Sequence, residues 1–339
     1  MAGSTNALGA TGYYGIVASG GTLSLGNVGA FVNRQIQFSG PGVQVGGVGV
    51  GALENLAGTN VYSASLSMNA ASSFGVTAGS LTLSAGISGA YPLTKVGPGP
   101  LILSATETYT AGTYVNAGTL ILNGSLPVGN FVNVAYGTTL GGSGTFNCPV
   151  SVQYGGTFQP GAGGSTVGKC LVNGPLNLGG NTVMFLNKAT PTNSQVAGIS
   201  TVIYGGTLSV TNLGGTFLAG DKFTLFSATS RQGVFTTLNL PTLPAGLGWS
   251  NSLAIDGSIQ VVNAVNTAPP VMTNSYNAGT LTLSWPSDHL GWRLQVQTNA
   301  LTTGLTTNWL TWPNSTNLTS VSVQVDPTQP TVFFRLVYP

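Results

Sequence analysis

The fold is decided by residues 93–126, which read LTKVGPGPLILSATETYTAGTYVNAGTLILNGSL. Within this segment Gly99 and Gly118 mark two similar halves, and each is followed closely by a Leu-Ile-Leu run. Glycine lets the backbone turn a corner, and alternate residues of a strand point to the same side. Each half of the segment therefore predicts a corner followed by a short strand whose leucines share one face.

The same pattern recurs along most of the chain before residue 180. Glycines followed within three positions by an apolar residue recur with a period of about 19 residues, namely Gly21, Gly40, Gly58, Gly79, Gly99, Gly118, Gly137, Gly156 and Gly174. Several share an upstream valine, as Val115, Val134 and Val152 illustrate. A fixed period of this length indicates stacked structural repeats in which no single repeat buries its apolar side alone.

The repeat predicts an all-β chain built as a right-handed parallel β-solenoid over residues 1–264. Each coil has about 19 residues, with valine and leucine pointing inward on either side of the glycine corner. The open edges at both ends of a solenoid need covering. We expect the first twenty or so residues to cover one end, and residues 180–264 to form irregular coils and a cap at the other.

Composition excludes several classes of protein. The 339 residues include eight Lys and Arg, six Asp and Glu, and one His, so charged residues make up 4% of the chain, against about 25% in a typical soluble domain. A net charge of +2 offers no basic surface for nucleic acid. Apolar runs are too short for a membrane span, and the 51 glycines disfavour helix.

Residues 93–126 closely resemble the autotransporter-associated β-strand repeat of bacterial surface proteins. The matching residues are Leu93, Lys95, Gly97, Gly99, Leu101, Leu103, Thr108, Tyr109, Thr110, Gly112, Thr113, Val115, Asn116, Ala117, Gly118, Thr119, Leu120, Leu122, Asn123 and Gly124. The resemblance implies an exported, passenger-type β-helical protein that is extracellular or on the bacterial cell surface, and it implies no activity. The opening MAGSTNALGA shows no signal peptide, so we expect one to have been removed.

A second unit follows the proline-containing linker 265–270. Residues 271–339 hold four of the five tryptophans, Trp285, Trp292, Trp309 and Trp312. Alternating runs at 281–285, 292–296, 321–325 and 332–336 predict short antiparallel strands. We expect a small β-sandwich of the fibronectin or immunoglobulin type, a module that sorts, anchors or binds glycans.

The cysteines leave two interpretations open. The separation of Cys148 and Cys170 along the chain is close to one coil, so they form either a disulfide between stacked coils or two buried thiols. With one histidine and no further soft ligands at a metal-binding spacing, we expect no metal site and no cofactor.

The acidic residues argue against an enzyme. They are scattered through the chain as Glu54, Glu107, Asp221, Asp256, Asp288 and Asp326. Glycoside hydrolysis needs two carboxyl groups beside one bond, and a polysaccharide lyase needs a carboxylate cluster and a base. Asp221 and Asp256 lie in glycine turns, where an aspartate caps its own backbone. We expect no catalytic residues.

Aromatic residues are the better candidates for ligand binding. Tyr136 and Tyr154 precede the corner glycine in successive coils, and Tyr204 has a similar context. Stacked tyrosines form either a structural ladder or a sugar-binding strip, and Trp309 and Trp312 are candidates for an exposed platform.

Taken together, these features predict a secreted or cell-surface structural and adhesive scaffold, whose partners are copies of itself or surface polysaccharide. The low charge lowers the barrier to self-association. The alternative is a carbohydrate-binding protein, and a polysaccharide-degrading enzyme ranks third.

Overall fold

A computed structural model describes residues 14–31, 34–161, 163–264 and 266–338. The chain forms two compact units. The first reaches to Phe217 and includes Asp221–Thr242 and Trp249–Gln260, and the second comprises Leu218–Gly220, Leu243–Gly248 and Val261–Pro339. Most of the expected N-terminal cover, and the segment inspected for a signal peptide, lie outside the described residues.

The described residues contain short strands and no α-helix. Up to the end of the regular coils, the strands are β1 (Gly15–Val17), β2 (Leu23–Leu25), β3 (Ala30–Phe31), β4 (Ile36–Gly40), β5 (Gln44–Val45), β6 (Val48–Gly49), β7 (Leu53–Asn55), β8 (Thr59–Tyr62), β9 (Leu66–Val76), β10 (Ser80–Leu83), β11 (Ile87–Gly89), β12 (Leu93–Val96), β13 (Pro100–Leu103), β14 (Thr113–Val115), β15 (Thr119–Leu122), β16 (Ser125–Leu126), β17 (Val132–Val134), β18 (Thr139–Gly142), β19 (Thr145–Phe146), β20 (Val150–Val152) and β21 (Thr157–Pro160).

The remaining strands complete the described chain. They are β22 (Lys169–Val172), β23 (Leu176–Leu178), β24 (Asn181–Asn187), β25 (Thr192–Asn193), β26 (Gln195–Tyr204), β27 (Thr207–Asn212), β28 (Lys222–Thr224), β29 (Phe226–Gly233), β30 (Thr237–Asn239), β31 (Leu247–Ser252), β32 (Ser258–Asn263), β33 (Thr273–Asn277), β34 (Thr280–Ser284), β35 (Arg293–Asn299), β36 (Leu310–Thr311), β37 (Ser320–Gln324) and β38 (Thr331–Val337). Two 3₁₀ turns span Ser287–His289 and Ser315–Asn317.

The first unit is a parallel β-solenoid. Successive strands of one stack, β12-β14-β17-β20-β23-β26, pair in parallel, and so do those of a second, β10-β13-β15-β18-β21-β24-β27. One inward position of the first stack runs through Leu53, Phe74, Lys95, Val115, Val134, Val152, Leu178 and Tyr204. All of these side chains are buried, so each coil buries its apolar side against its neighbours.

Coil length is constant only in the middle of the solenoid. Leu101 pairs with Leu120, and Leu140 pairs with Phe158, so these coils keep the length that the glycine period predicts. Phe158 then pairs with Thr182, which makes the next coil several residues longer. The next corner after Gly156 therefore falls at Gly180, and not at Gly174 as the glycine spacing predicts. The added residues lie between strands, so they lengthen the coil without changing the alternation of inward and outward side chains within each strand.

Two charged side chains, Lys95 and Glu107, are buried within residues 93–126. The Lys95 ammonium donates to the carbonyls of Val96 (2.8 Å), Gly97 (2.7 Å) and Ala117 (3.1 Å), and burial lowers the pKa of Lys95 to about 7. Glu107 Oε2 accepts the backbone N–H of Ile87 at 2.6 Å. Its Oε1 has no hydrogen-bond partner among the described residues, and burial raises the pKa of Glu107 to about 7.

Strands β28, β32 and β31 form a small antiparallel sheet. Phe223 of β28 and Trp249 of β31 pack with Phe217, and the ring centroids of the three lie 5.3–6.3 Å apart. Lys222 bonds Asp256 at 2.7 Å. Aromatic packing and this ion pair join segments that are far apart in sequence.

The second unit contains two three-stranded antiparallel sheets, β33-β34-β37 and β36-β35-β38. Leu283, Trp285, Leu294 and Val321 form a core to which both sheets contribute. Residues 266–268 of this unit, which we name the tether, are held by two of its side chains. Trp292 Nε1 donates to the carbonyl of Asn266 at 2.8 Å, and His289 Nε2 lies 2.9 Å from the carbonyl oxygen of Ala268.

None of the described segments forms a helix of the length and apolar character that a membrane span needs.

Candidate functional site: a groove walled by tyrosines

Two tyrosines project from adjacent corners of the solenoid. Tyr136 lies between β17 and β18, and Tyr154 lies between β20 and β21. Their side chains are 75% and 82% exposed, and their ring centroids are 6.3 Å apart with the planes inclined by 34°. The corner needs glycine, because Gly155 has φ +72 and a Cβ there would lie 2.2 Å from the Tyr136 ring.

The next two corners are shorter, and this difference creates a groove. The corner that carries Tyr154 has four residues, between Val152 at the end of β20 and Thr157 at the start of β21. In the next coil, Val152 pairs with Leu178 and Thr157 pairs with Asn181. Only two residues lie between Leu178 and Asn181. The same short corner follows in the next coil, between Tyr204 and Thr207. The surface therefore steps down from the tyrosines to corners made only of glycine.

The groove has a volume of about 530 Å³, within the usual range of about 300–1,000 Å³ for ligand sites. The described residues that line the groove are all uncharged. They are Tyr136, Gly137, Tyr154, Gly155, Gly179, Gly180, Asn181, Gly205, Gly206, Thr207 and Thr236. Tyrosine rings form one wall, glycine backbone forms the floor, and amide and hydroxyl groups supply polar contacts.

The floor is held by backbone hydrogen bonds between coils. The Gly206 N–H donates to the Leu178 carbonyl at 2.9 Å, and the Thr207 N–H donates to the Gly180 carbonyl at 3.0 Å. Thr236 closes the far end, where its hydroxyl donates to the Gly206 carbonyl at 2.9 Å. A Cβ on Gly206 would lie 1.9 Å from the Gly180 oxygen, so close stacking excludes a side chain there.

Tyr204 does not join the other two tyrosines, although its sequence context grouped it with them. It pairs with Leu178 at the inward position, is 3% exposed, and its hydroxyl donates to the Leu253 carbonyl at 3.1 Å. Its ring packs against Phe226 and Phe235. The shortened corner is the cause, because it makes Tyr204 the last paired residue of a strand instead of a corner residue.

The candidate tryptophans lie in the second unit and form no open platform. Trp309 is half-buried, with the Arg335 guanidinium 4.2 Å from its ring centroid, a cation–π geometry. Trp312 packs against the core of that unit. It also lines a cavity of about 530 Å³ with Val296, Val332 and other residues.

The two cysteines are free, buried thiols and form no disulfide. In the coils that contain the cysteines, Phe146 pairs with Val172. Continuing this register by two residues places Cys148 beside Gly174 and not beside Cys170. The contact agrees, because a Cβ added to Gly174 would lie 2.9 Å from the Cys148 carbonyl carbon. The coil is thus longer than the separation of the two cysteines, so Cys148 and Cys170 are out of register. Burial raises the pKa of each thiol to about 12.

All six carboxylates have hydrogen-bonding partners in the protein. These are Ser24 and Thr77 for Glu54, the Ile87 amide for Glu107, Lys188 for Asp221, Lys222 for Asp256, His289 for Asp288 and Thr328 for Asp326. In the described ranges, no three His, Cys, Asp or Glu side chains are grouped as metal ligands would be. The groove, in contrast, brings exposed tyrosine rings together with exposed amide and hydroxyl groups.

Comparison with known proteins adds to this geometry. Residues 93–122 match the model of the passenger-associated transport repeat. The chain thus carries an autotransporter-type repeat. Over 200 residues, 56% of the chain, it is 32% identical to the adhesin BmaC autotransporter of Brucella suis biovar 1 (strain 1330), and the match covers 6% of that protein's length. The matched repeat supplies the most regular coils of the solenoid, and Lys95 and Glu107 lie within it.

Sequence reasoning found the two exposed tyrosines and missed the rest of the groove. Gly179, Gly180, Gly205 and Gly206 were unremarkable among 51 glycines. The signal for them was the number of residues in the corner between consecutive paired strands, which falls from four to two. That number can be counted only when the strand register is known.

Proposed function

We propose that this chain is part of an adhesive scaffold displayed outside the cell, on a bacterial surface. The observation that carries the proposal is a transport repeat of passenger proteins, at residues 93–122, built into the regular coils of a parallel β-solenoid. The resemblance to an autotransporter adhesin supports the same role. The chain corresponds to a small part of that adhesin, so the activity of the whole protein is also a proposal.

The scaffold's mechanical role follows from its stacking. Each coil bonds the next through parallel strands and a continuous inward column of side chains, so the stability of the scaffold is a sum over many neighbouring interfaces. Corners and outward strand faces are then free to make contacts. The proposal assigns no catalytic activity to the chain, and it includes association between copies, since few surface charges oppose contact.

The second unit has a separate role in this proposal. Its two antiparallel sheets and shared core support a fibronectin-like or immunoglobulin-like module that sorts, anchors or binds glycans. In this proposal residues 266–268 belong to that module, which the hydrogen bonds from His289 and Trp292 to their backbone support.

Surface display is tested by labelling intact producing cells with antibodies raised against the purified chain, with permeabilised cells as the reference. Equal labelling of intact and permeabilised cells is expected. Labelling that appears only after permeabilisation would overturn the proposed location.

Adhesion is tested with beads coated with the full chain and beads coated with albumin, counted on lawns of producing cells and on polysaccharide-coated surfaces. We expect retention of the chain-coated beads above the albumin level on at least one surface. Equal retention everywhere would overturn the adhesive role. Sedimentation at rising protein concentration tests self-association.

A carbohydrate-binding function is the second candidate. The uncharged groove beside Tyr136 and Tyr154 favours it.

A further inference from the structure

We infer that the groove beside Tyr136 and Tyr154 binds a neutral polysaccharide chain. This inference rests on the proposed adhesive function and gives that function a ligand class and a site. It concerns the step between the tyrosine-bearing corners and the glycine-only corners that follow them.

The tyrosine rings are exposed to a degree that a structural ladder does not require. A ladder that serves packing buries ring faces against one another, as Tyr204 does against Phe226 and Phe235. Tyr136 and Tyr154 instead leave three quarters or more of their surface in water. Large aromatic groups left exposed side by side are typical of binding surfaces.

The chemistry of the wall suits a sugar. A tyrosine ring offers an apolar face to the C–H groups of a pyranose and a hydroxyl for hydrogen bonding. The two planes, inclined by 34° with centroids 6.3 Å apart, form one bent wall on which consecutive units of a chain can lie. The groove continues past them over two further coils, so it suits an extended polymer better than a compact molecule.

The charge of the groove selects neutral ligands. The lining residues are tyrosine, glycine, asparagine and threonine, so an anionic sugar would find no cation to replace its water. Asn181 and Thr236 are exposed at the floor and far end, where their amide and hydroxyl groups can exchange hydrogen bonds with sugar hydroxyls. A few placed polar groups beside an apolar aromatic wall can orient a ligand.

The test uses the full chain and affinity electrophoresis in gels containing one soluble probe each. The neutral probes are dextran, laminarin, galactomannan and xyloglucan, and the anionic probes are polygalacturonate and hyaluronan. The variants are Tyr136→Ala, Tyr154→Ala and Asn181→Arg, the last of which fills the groove and adds charge. Tyr276→Ala is the matched control, because Tyr276 is 65% exposed on β33, outside the groove.

Retardation by at least one neutral probe is expected. Each tyrosine variant should weaken that association about three- to tenfold, as for the loss of an aromatic contact of moderate strength, and Asn181→Arg should weaken it further. Tyr276→Ala should match the unaltered chain. Because the substituted side chains are exposed, unchanged circular dichroism and thermal midpoints will show that the variants remain folded.

Absence of retardation by every neutral probe, preference for the anionic probes, or equal binding by the groove variants would overturn the inference. The bead assay keeps this failure separate from failure of the proposed function. Beads that still adhere when coated with Tyr154→Ala would leave an adhesive scaffold whose contact lies elsewhere. Beads that never adhere, with sugar binding intact, would leave a carbohydrate-binding protein without an adhesive role.

Discussion

Stability should pass through a minimum near neutral pH because of two buried charges. Between pH 4.5 and 7 the unfolded chain releases the Glu107 proton that the folded chain keeps, so folding becomes less favourable as pH rises. Above pH 7 the folded chain has released the Lys95 proton that the unfolded chain keeps until about pH 10.5, so folding becomes more favourable as pH rises. This is the reverse of the usual maximum between about pH 5 and 8.

The size of both effects follows from the pKa values. The rise of the Glu107 pKa from 4.5 to about 7 corresponds to a loss of roughly 3 kcal/mol in the free energy of unfolding. The lowered Lys95 pKa of about 7 should return roughly 3 kcal/mol between pH 7 and 9. Above pH 9 the buried thiols of Cys148 and Cys170 keep protons that the unfolded chain loses, which opposes the rise.

The assay is urea unfolding followed by far-ultraviolet circular dichroism at pH 4.5, 7 and 9 and constant ionic strength. Glu107→Gln should abolish the fall on the acidic side, and Lys95→Met should abolish the rise on the alkaline side, whatever each does to overall stability. A maximum near pH 7 in the unaltered chain would refute the reasoning. So would an acidic or alkaline slope that survives in the matching variant.

Further predictions concern the thiols, the glycine corners and the tether. Cys148 and Cys170 should resist a water-soluble maleimide until the protein unfolds, because burial keeps both thiols protonated; rapid labelling of the native chain would contradict this. Gly206→Ala should lower the urea midpoint more than Gly137→Ala does, because a Cβ on Gly206 would lie 1.9 Å from the Gly180 oxygen. A Cβ on Gly137 meets no atom within 4 Å, so that variant loses only the about 1–2 kcal/mol that a left-handed backbone costs a residue with a side chain. Equal urea midpoints for the two variants would contradict this. His289→Ala should hasten subtilisin cleavage at the tether, and an unchanged cleavage rate would count against the hydrogen bond to its backbone.

Much of the solenoid could be predicted from sequence because its determinants are local. Alternation of inward and outward residues and the glycine at each corner both act within one coil, as residues 93–126 illustrate. The period failed at Gly174 for a physical reason: the length of a coil depends on the residues that loop out between strands, and hydrophobic alternation places no limit on them.

The sequence by itself determined an all-β repeating chain with low charge and tyrosines at two neighbouring corners. Only the tertiary structure decided that Tyr204 turns inward, that Cys148 and Cys170 miss each other, and that the corners beyond Tyr154 drop into a groove. All three depend on register, because the neighbours of a side chain in a solenoid come from the coils before and after it. The spacing of residues along the chain does not specify which of them stack.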